Sequence, residues 1–305
     1  MKAYRFVLAD VFTDERFGGN QLAVFTDARG LEPRLMQKIA REMNFSETTF
    51  LFPAERDGDY RVRIFTPHQE LPFAGHPIVG TAHVIVAEGL KPAAEPATSV
   101  TLETGVGLIP VEVATVGGAA GHTTMTQPIP ELRGSFTDIA RLAGALALEP
   151  SEIHETGLPV EALHNGITVL IVPVATRAAV ERARPIWASL EEISKEVGAS
   201  TVLVFALEAL MPASSAHCRV FAPAAGVLED AATGSANGPL GAYMVRHRAV
   251  APQSVTRIIS EQGFEMNRPS LLHIEVAVDL ETNHINRVRV GGGVVIAGRG
   301  EMLVD

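Results

Sequence analysis

The chain has 305 residues, 35 acidic against 25 basic side chains, a formal net charge of −10 and one cysteine. That charge argues against nucleic acid or an anionic membrane as the main partner, and a lone Cys218 excludes an internal disulfide, a multi-thiolate zinc site and any two-thiol mechanism. No stretch is as long and apolar as a membrane span, and Met1-Lys-Ala-Tyr-Arg-Phe lacks the apolar core of a signal peptide, so a cytoplasmic chain of about two domains is expected.

Residues 4–12 read as a strand, Phe17-Gly-Gly-Asn20 as a turn, and Leu22 to Phe25 as a second strand. Pro33 opens a helix to about Asn44, with Leu35, Met36, Ile39, Ala40 and Met43 on one face. A strand starts in Ser46 to Phe52, and Gly58 turns the chain. Val62 to Phe65 is then β-branched and aromatic, a strand that Pro67 stops. A short loop ends at Gly75. Pro77 opens an apolar helix to about Glu88; the first helical position tolerates a proline because its N–H has no intrahelical partner. Strands follow at 98–104, 108–115 and 122–126.

The second half repeats this order. Thr137 to Leu146 reads as a helix that Gly144 weakens. His164-Asn-Gly166 leads into a strand at Thr168 to Val174, Pro185 opens a helix to Val197, and Thr201 to Ala206 is a strand. Arg219-Val-Phe-Ala-Pro223 matches Arg63-Ile-Phe-Thr-Pro67. Gly234-Ser235, with Pro239 in the next helix, matches Gly75-His76-Pro77. The offset is 156 residues at the strand and 159 at the glycine. Strands at 255–261, 271–278, 285–290 and 293–297 close the chain. This is an internal duplication with a period near half the chain, far longer than a solenoid repeat. It divides the chain into halves at 1–128 and 129–305, with the last strand free to pack back on the first half. Two α+β halves would each point one helix N-terminus into a cleft, where small-molecule sites are common.

Several side chains could do chemistry. Glu47 lies between Phe45 and Phe50 at a helix-to-strand junction. Burial would raise its pKa from roughly 4.3 toward that of a general base; an exposed loop glutamate fits the position equally well. The parallel position in the second half, Ala199-Ser200, has no acid, which favours function. His76 sits at or beside a helix N-terminus, where the dipole opposes an imidazolium; it is either a neutral proton carrier or a capping residue. Asp230 either orients or protonates a ligand or is an exposed turn carboxylate beside Glu229. Gly75, Gly234 and Ser235 would offer N–H groups and a hydroxyl to a carboxylate or oxyanion, unless the glycines serve turns with positive φ. His217-Cys218 reads as core. Gly291-Gly-Gly293 reads as strand bends, because no helix follows it as a nucleotide loop requires. No metal-ligand spacing appears.

At these residues the chain resembles the PhzF family of phenazine-biosynthesis isomerases, within the diaminopimelate epimerase-like superfamily. The shared blocks are Phe17-Gly-Gly-Asn20, Ala40 to Thr48, Arg63 to Pro67, Glu70 to Pro77, Met125 to Pro130, Glu229 to Ala236 and Arg268-Pro-Ser270. The resemblance implies two similar halves, each a curved sheet or barrel around a central helix that starts near Pro77 or Pro239. It implies Glu47, His76 and Asp230 as catalytic residues, with Gly75 and Ser235 positioning the substrate. It implies no cofactor, a homodimer, and the isomerisation of trans-2,3-dihydro-3-hydroxyanthranilate, with Glu47 moving a proton from C3 to C1. Where the racemases of the superfamily carry two cysteines, this chain has Ala74 and Ala231. Two readings compete: an isomerase of this fold acting on another small carboxylate, and a non-catalytic binding protein. The intact Glu47, His76 and Asp230 disfavour the second.

Overall fold

The computed structural model describes residues 1–222 and 227–304. Pro223, which closes the second copy of the Arg-to-Pro repeat, lies outside the described residues. The chain forms two units: Met1 to Thr126 with the chain from Gly291 onward, and Gln127 to Val290. Both are α+β.

The first unit runs β1 (Lys2–Val11), β2 (Asn20–Phe25), α1 (Pro33–Met43), β3 (Glu47–Pro53), β4 (Tyr60–Phe65), β5 (Glu70–Leu71), α2 (Gly75–Ala87), β6 (Ala97–Thr104), β7 (Gly107–Val116) and β8 (Ala119–Gln127). The last strand, β18 (Val294–Val304), returns to pair with β1. The ladder order is β18-β1-β2-β3-β4-β6-β7-β8; only β2–β3 and β4–β6 are parallel. Each parallel pair is joined by a helical crossover, α1 for one and α2 for the other, as parallel neighbours require.

The two helices meet the sheet differently because their sequences differ. α1 is amphipathic and buries Met36, Ile39 and Ala40 against Ala23, Phe25, Phe50 and Phe65 on one face of the sheet. Phe25 and Phe50 stack there at 4.9 Å. α2 is apolar all round and buried from Gly75 to Val86, packed on β1, β2, β3, β6, β7 and β18. A helix with no polar stripe has no face to turn to water, so it becomes the centre of the unit.

The second unit runs β9 (Glu131–Ser135), α3 (Ile139–Leu146), α4 (Pro150–His154), β10 (Glu161–His164), β11 (Thr168–Pro173), α5 (Arg177–Arg182), α6 (Trp187–Glu196), β12 (Thr201–Ala206), β13 (Ala216–Ala222), β14 (Val227–Asp230), α7 (Gly234–Arg246), β15 (Val255–Gln262), a 3-10 turn (Phe264–Met266), β16 (Ser270–Asp279) and β17 (His284–Gly292). Its ladder repeats the first: β9-β10-β11-β12-β13-β15-β16, with β11–β12 and β13–β15 parallel. The 13-residue α7 is buried from Gly234 to Val245 and matches α2 in length and place. The duplicated fold expected from sequence is therefore the one observed.

The helix starts differ from expectation. α2 begins at Gly75, so Pro77 is its third residue, still within the turn whose N–H groups need no partner. α7 begins at Gly234, and Pro239 lies inside it. Strands β5, β9, β10 and β14 and helices α4 and α5 were not foreseen; all have six residues or fewer. Short elements leave too few positions for a period to show.

Candidate active site

In the first unit the site is built where three chain segments converge. Asn20 opens β2, Glu47 opens β3 opposite Leu22, and His76 is the second residue of α2. The carboxylate and the ring face one another, with Glu47 Oε2 3.5 Å from His76 Nε2 and side-chain exposures of 12 % and 3 %. Burial holds the His76 pKa at about 3, far below the ordinary 6.5, so the ring is neutral. The direction agrees with the sequence expectation, but the cause is desolvation, where the sequence argument invoked the helix dipole. On its other side Asn20 Nδ2 lies 3.0 Å from His76 Nδ1. Where the amide donates, Nδ1 is the acceptor and the ring hydrogen lies on Nε2, on the Glu47 side; the ring also has a backbone hydrogen bond to Gln21. Gly75 precedes His76 as the first helical residue, so its N–H lacks an intrahelical acceptor.

In the second unit Asp230 ends β14 opposite Val220 and is 8 % exposed, not the solvated turn carboxylate of the alternative reading. Its Oδ2 accepts the Thr233 hydroxyl at 2.6 Å. Gly234 and Ser235 open α7 and are buried. The loop between Asp230 and Gly234 is held by Gln262, which is fully buried. Gln262 Nε2 donates to the Asp230 carbonyl at 2.7 Å and to Thr233 Oγ1 at 3.0 Å, while its Oε1 accepts the Thr233 N–H and the Asn237 amide. Gly263 follows at φ +79°, and a Cβ there would stand 2.5 Å from the carbonyls of Ala231 and Arg268.

A buried amide also reaches the start of α7. Asn165 Nδ2 donates to the Ser235 carbonyl at 3.0 Å and to Gln127 Oε1 at 2.8 Å, and Gln127 Nε2 donates to the Gly234 carbonyl at 2.8 Å. The structure thus groups Glu47, Gly75 and His76 in one unit and Asp230, Gly234 and Ser235 in the other. Four residues that position them escaped the sequence reading: Asn20, Asn165, Gln127 and Gln262.

The duplication shows how unlike the two sites are. The β2–β3 and β11–β12 registers make Thr201, not Ala199-Ser200, the counterpart of Glu47. His76 corresponds to Ser235, and Asp230 to Leu71. Each acid, base or hydroxyl therefore appears in one unit only, while the packing of the helices appears in both. Cys218 is buried, and its thiol is pushed up to about 12 by desolvation, which leaves it inert as a nucleophile. Among the described residues no three His, Cys, Asp or Glu side chains gather as a metal ion would need, and no helix is long and apolar enough to cross a membrane.

Comparison with known proteins agrees with this architecture. The profile of the PhzC-PhzF family, phenazine biosynthesis-like proteins, matches residues 9–300. A trans-2,3-dihydro-3-hydroxyanthranilate isomerase of Pseudomonas aeruginosa is 38 % identical over 272 residues, covering 88 % of this chain and 89 % of that protein. An uncharacterised isomerase of Mesorhizobium japonicum is 34 % identical over 309 residues and the full length of both chains. The crystal structure of a Bacillus anthracis phenazine biosynthesis protein of the PhzF family superposes with a TM-score of 0.89 at 29 % identity, covering all of both chains. A probable proline racemase of Agrobacterium radiobacter, 14 % identical, shares the fold with a TM-score of 0.70 over 99 % of this chain and 93 % of that one.

Proposed function

This chain belongs to the PhzC-PhzF family of phenazine biosynthesis-like proteins and is an isomerase; on that premise we propose that it isomerises trans-2,3-dihydro-3-hydroxyanthranilate without a cofactor, using Glu47 as the base. The observation that carries the reading is the pairing of the Glu47 carboxylate with a neutral, buried His76 at 3.5 Å. A neutral imidazole does not neutralise the carboxylate as an imidazolium would, which suits Glu47 to the role of base.

In the proposed reaction Glu47 removes the proton from C3 of the ring, and the C3–H electron pair shifts through the diene toward C1. The same carboxyl group then returns the proton to C1, leaving an enol at C3 that becomes the ketone. Proton count and charge balance, and no oxidant is required. One base that both removes and delivers the proton needs close geometry more than a large pKa gap. His76 Nε2–H would hydrogen-bond to the substrate amine or hydroxyl beside Glu47. In the second unit Asp230, held by Thr233, is a further acid–base group proposed for the reaction. The N–H groups that open α2 at Gly75, and those that open α7 at Ser235, each suit a carboxylate. A relative with no assigned substrate at 34 % identity keeps a second small carboxylate in view as the alternative.

The test is proton NMR of trans-2,3-dihydro-3-hydroxyanthranilate with the protein in deuterated buffer, run beside Glu47→Gln. Loss of the substrate signals and appearance of the ketone or its condensation products with the wild type alone is the expected result. Full turnover by Glu47→Gln would remove Glu47 as the base. An unchanged spectrum with folded wild-type protein would move the substrate to another small carboxylate.

A further inference from the structure

The duplication also exposes a position that one unit fills and the other leaves open. In the second unit β13 sets His217 opposite Glu261 of β15, and Arg219 forms a two-point ion pair with Glu229 of β14, both contacts 2.8 Å. Residues 263–269 join β15 to β16. They fold back, and the Glu265 carboxylate lands on His217, with Oε1 2.8 Å from Nε2. The Arg219 charge also stabilises that carboxylate.

In the first unit the same ladder positions carry Arg61 opposite Glu103 and Arg63 paired with Glu70 through the same atoms, at 2.7 and 2.6 Å. Here β6 and β7 are joined by Gly105-Val106 alone, so no residue corresponds to Glu265. A groove of about 450 Å³ occupies the place, lined by Arg56, Arg61, Arg63, Leu71 and Pro72 together with Glu55, Glu70 and Glu103. The glutamate oxygens are already engaged. Glu103 accepts the N–H groups of Glu55, Arg56 and Gly58, Glu70 holds Arg63, and Glu55 holds Arg61. Unused donors remain: Arg63 Nη1, Arg61 Nε and Nη2, and the whole guanidinium of the exposed Arg56 enter no hydrogen bond among the described residues. Glu261 and Glu229 are engaged in the same way in the second unit, and Glu265 is still seated beside them.

We propose that this groove is a binding site for the carboxylate of a small molecule, seated on Arg61 and Arg63 as Glu265 sits on His217 and beside Arg219. Arginine forks suit planar, two-point recognition of a carboxylate. Leu71 and Pro72 supply an apolar wall for a short aliphatic stem. The site shares no residue with Glu47, His76 or Asp230, so it stands apart from the proposed reaction.

The test is a titration of the nitrogen-15-labelled protein with N-acetylglutamic acid α-amide, whose one carboxylate is on the side chain. The Nε–H signals of Arg56, Arg61 and Arg63 are followed, with N-acetylglutamine amide as the neutral control. The expected result is a saturable shift of these signals with the acid and none with the control. Arg61→Gln and Arg56→Ala should each weaken binding by about tenfold, the factor for roughly one charge-assisted contact. Three results would overturn the proposal: no saturable shift at these arginines, equal shifts with the neutral analogue, or an affinity that neither substitution changes. Arg56 is exposed, so its variant keeps the fold and the comparison stays readable. No turnover is measured, so the outcome is independent of the reaction assigned to Glu47.

Discussion

Pro239 follows Ser235 by four residues in α7, so the Ser235 carbonyl has no helical N–H to accept, and the buried Asn165 amide supplies one at 3.0 Å. A proline inside a buried helix is tolerated here because a side chain from another segment replaces the missing donor. Asn165→Leu should leave that carbonyl and Gln127 Oε1 without this donor. A loss of about 2 kcal/mol is expected, from roughly 1–3 kcal/mol for an unsatisfied buried polar group. Urea unfolding of the variant beside the wild type measures it.

Asn20 plays a different part, because its amide meets a ring rather than a backbone. As a positioning residue donating to Nδ1 it would keep the His76 ring hydrogen on Nε2. Asn20→Ala should lower kcat by about tenfold or more, within the range of a displaced acid–base partner, with a smaller change in KM. The deciding readout is the pair of His76 nitrogen-15 shifts. The wild type should show a hydrogen on Nε2 only, and the variant a mixture of tautomers. An unaltered pattern would remove the positioning role.

His76 also makes stability depend on pH in a stated direction. Its folded pKa of about 3 lies below the unfolded 6.5, so between these values the unfolded chain binds the extra proton. Stability should therefore fall as pH drops below 6.5, by about 1.4 kcal/mol per pH unit from this group alone. His76→Gln should flatten the slope by that amount between pH 6 and about 4. Parallel slopes in the two proteins would contradict a neutral buried ring.

The opposite sign applies to His217. Burial alone would lower its pKa, but hydrogen bonds to Glu265 and Glu261 raise it above the ordinary value. Its contribution is fully present below the unfolded pKa and is lost as pH rises through the folded one. The stability difference between wild type and His217→Gln should thus be largest in acid and shrink toward alkaline pH. A difference that grows with pH would mean the ring is neutral between its two carboxylates.

Gly263→Ala tests the support of the Asp230 loop. A methyl group would meet two backbone oxygens at 2.5 Å, at a φ of +79° that side chains disfavour. Neither obstacle can be relieved by a rotamer change, so a loss of about 3 kcal/mol is expected. Activity should fall further than stability accounts for, because Ala231 and its neighbours move with Asp230. Calorimetry and turnover on the folded fraction separate the two effects.

The sequence was most informative where chemistry and periodicity coincide. Glu47, His76 and Asp230 stand out in the sequence as titratable side chains beside strand and helix signals, and the Arg-to-Pro repeat marks β4 and β13. Asn20 and Asn165 were visible only as residues beside glycine, which reads as a turn. Their targets lie 56 and 70 residues away, at His76 and Ser235, and no local pattern carries that distance. Gln262 closes β15 as a polar residue with nothing to mark it as fully buried. β9 is exposed along its whole length, so it lacks the alternation by which a half-buried strand is recognised. The start of α2 is earlier than Pro77 suggests, and that of α7 earlier than the start near Pro239 that the family resemblance implies, because a glycine opens both helices.

Lys2 stands opposite Val304 in the β1–β18 ladder, so β1 waits for a strand that follows it by nearly the whole length of both units. On the ribosome the Gln127–Val290 unit is contiguous and can close as soon as it emerges. The earlier unit must hold an unfilled sheet edge beside β1 until Val294 to Val304 have cleared the exit tunnel. Synthesis order and completion order are then reversed, against the usual N-terminal-first sequence. During that interval the bare edge of β1 is the surface most in need of a chaperone.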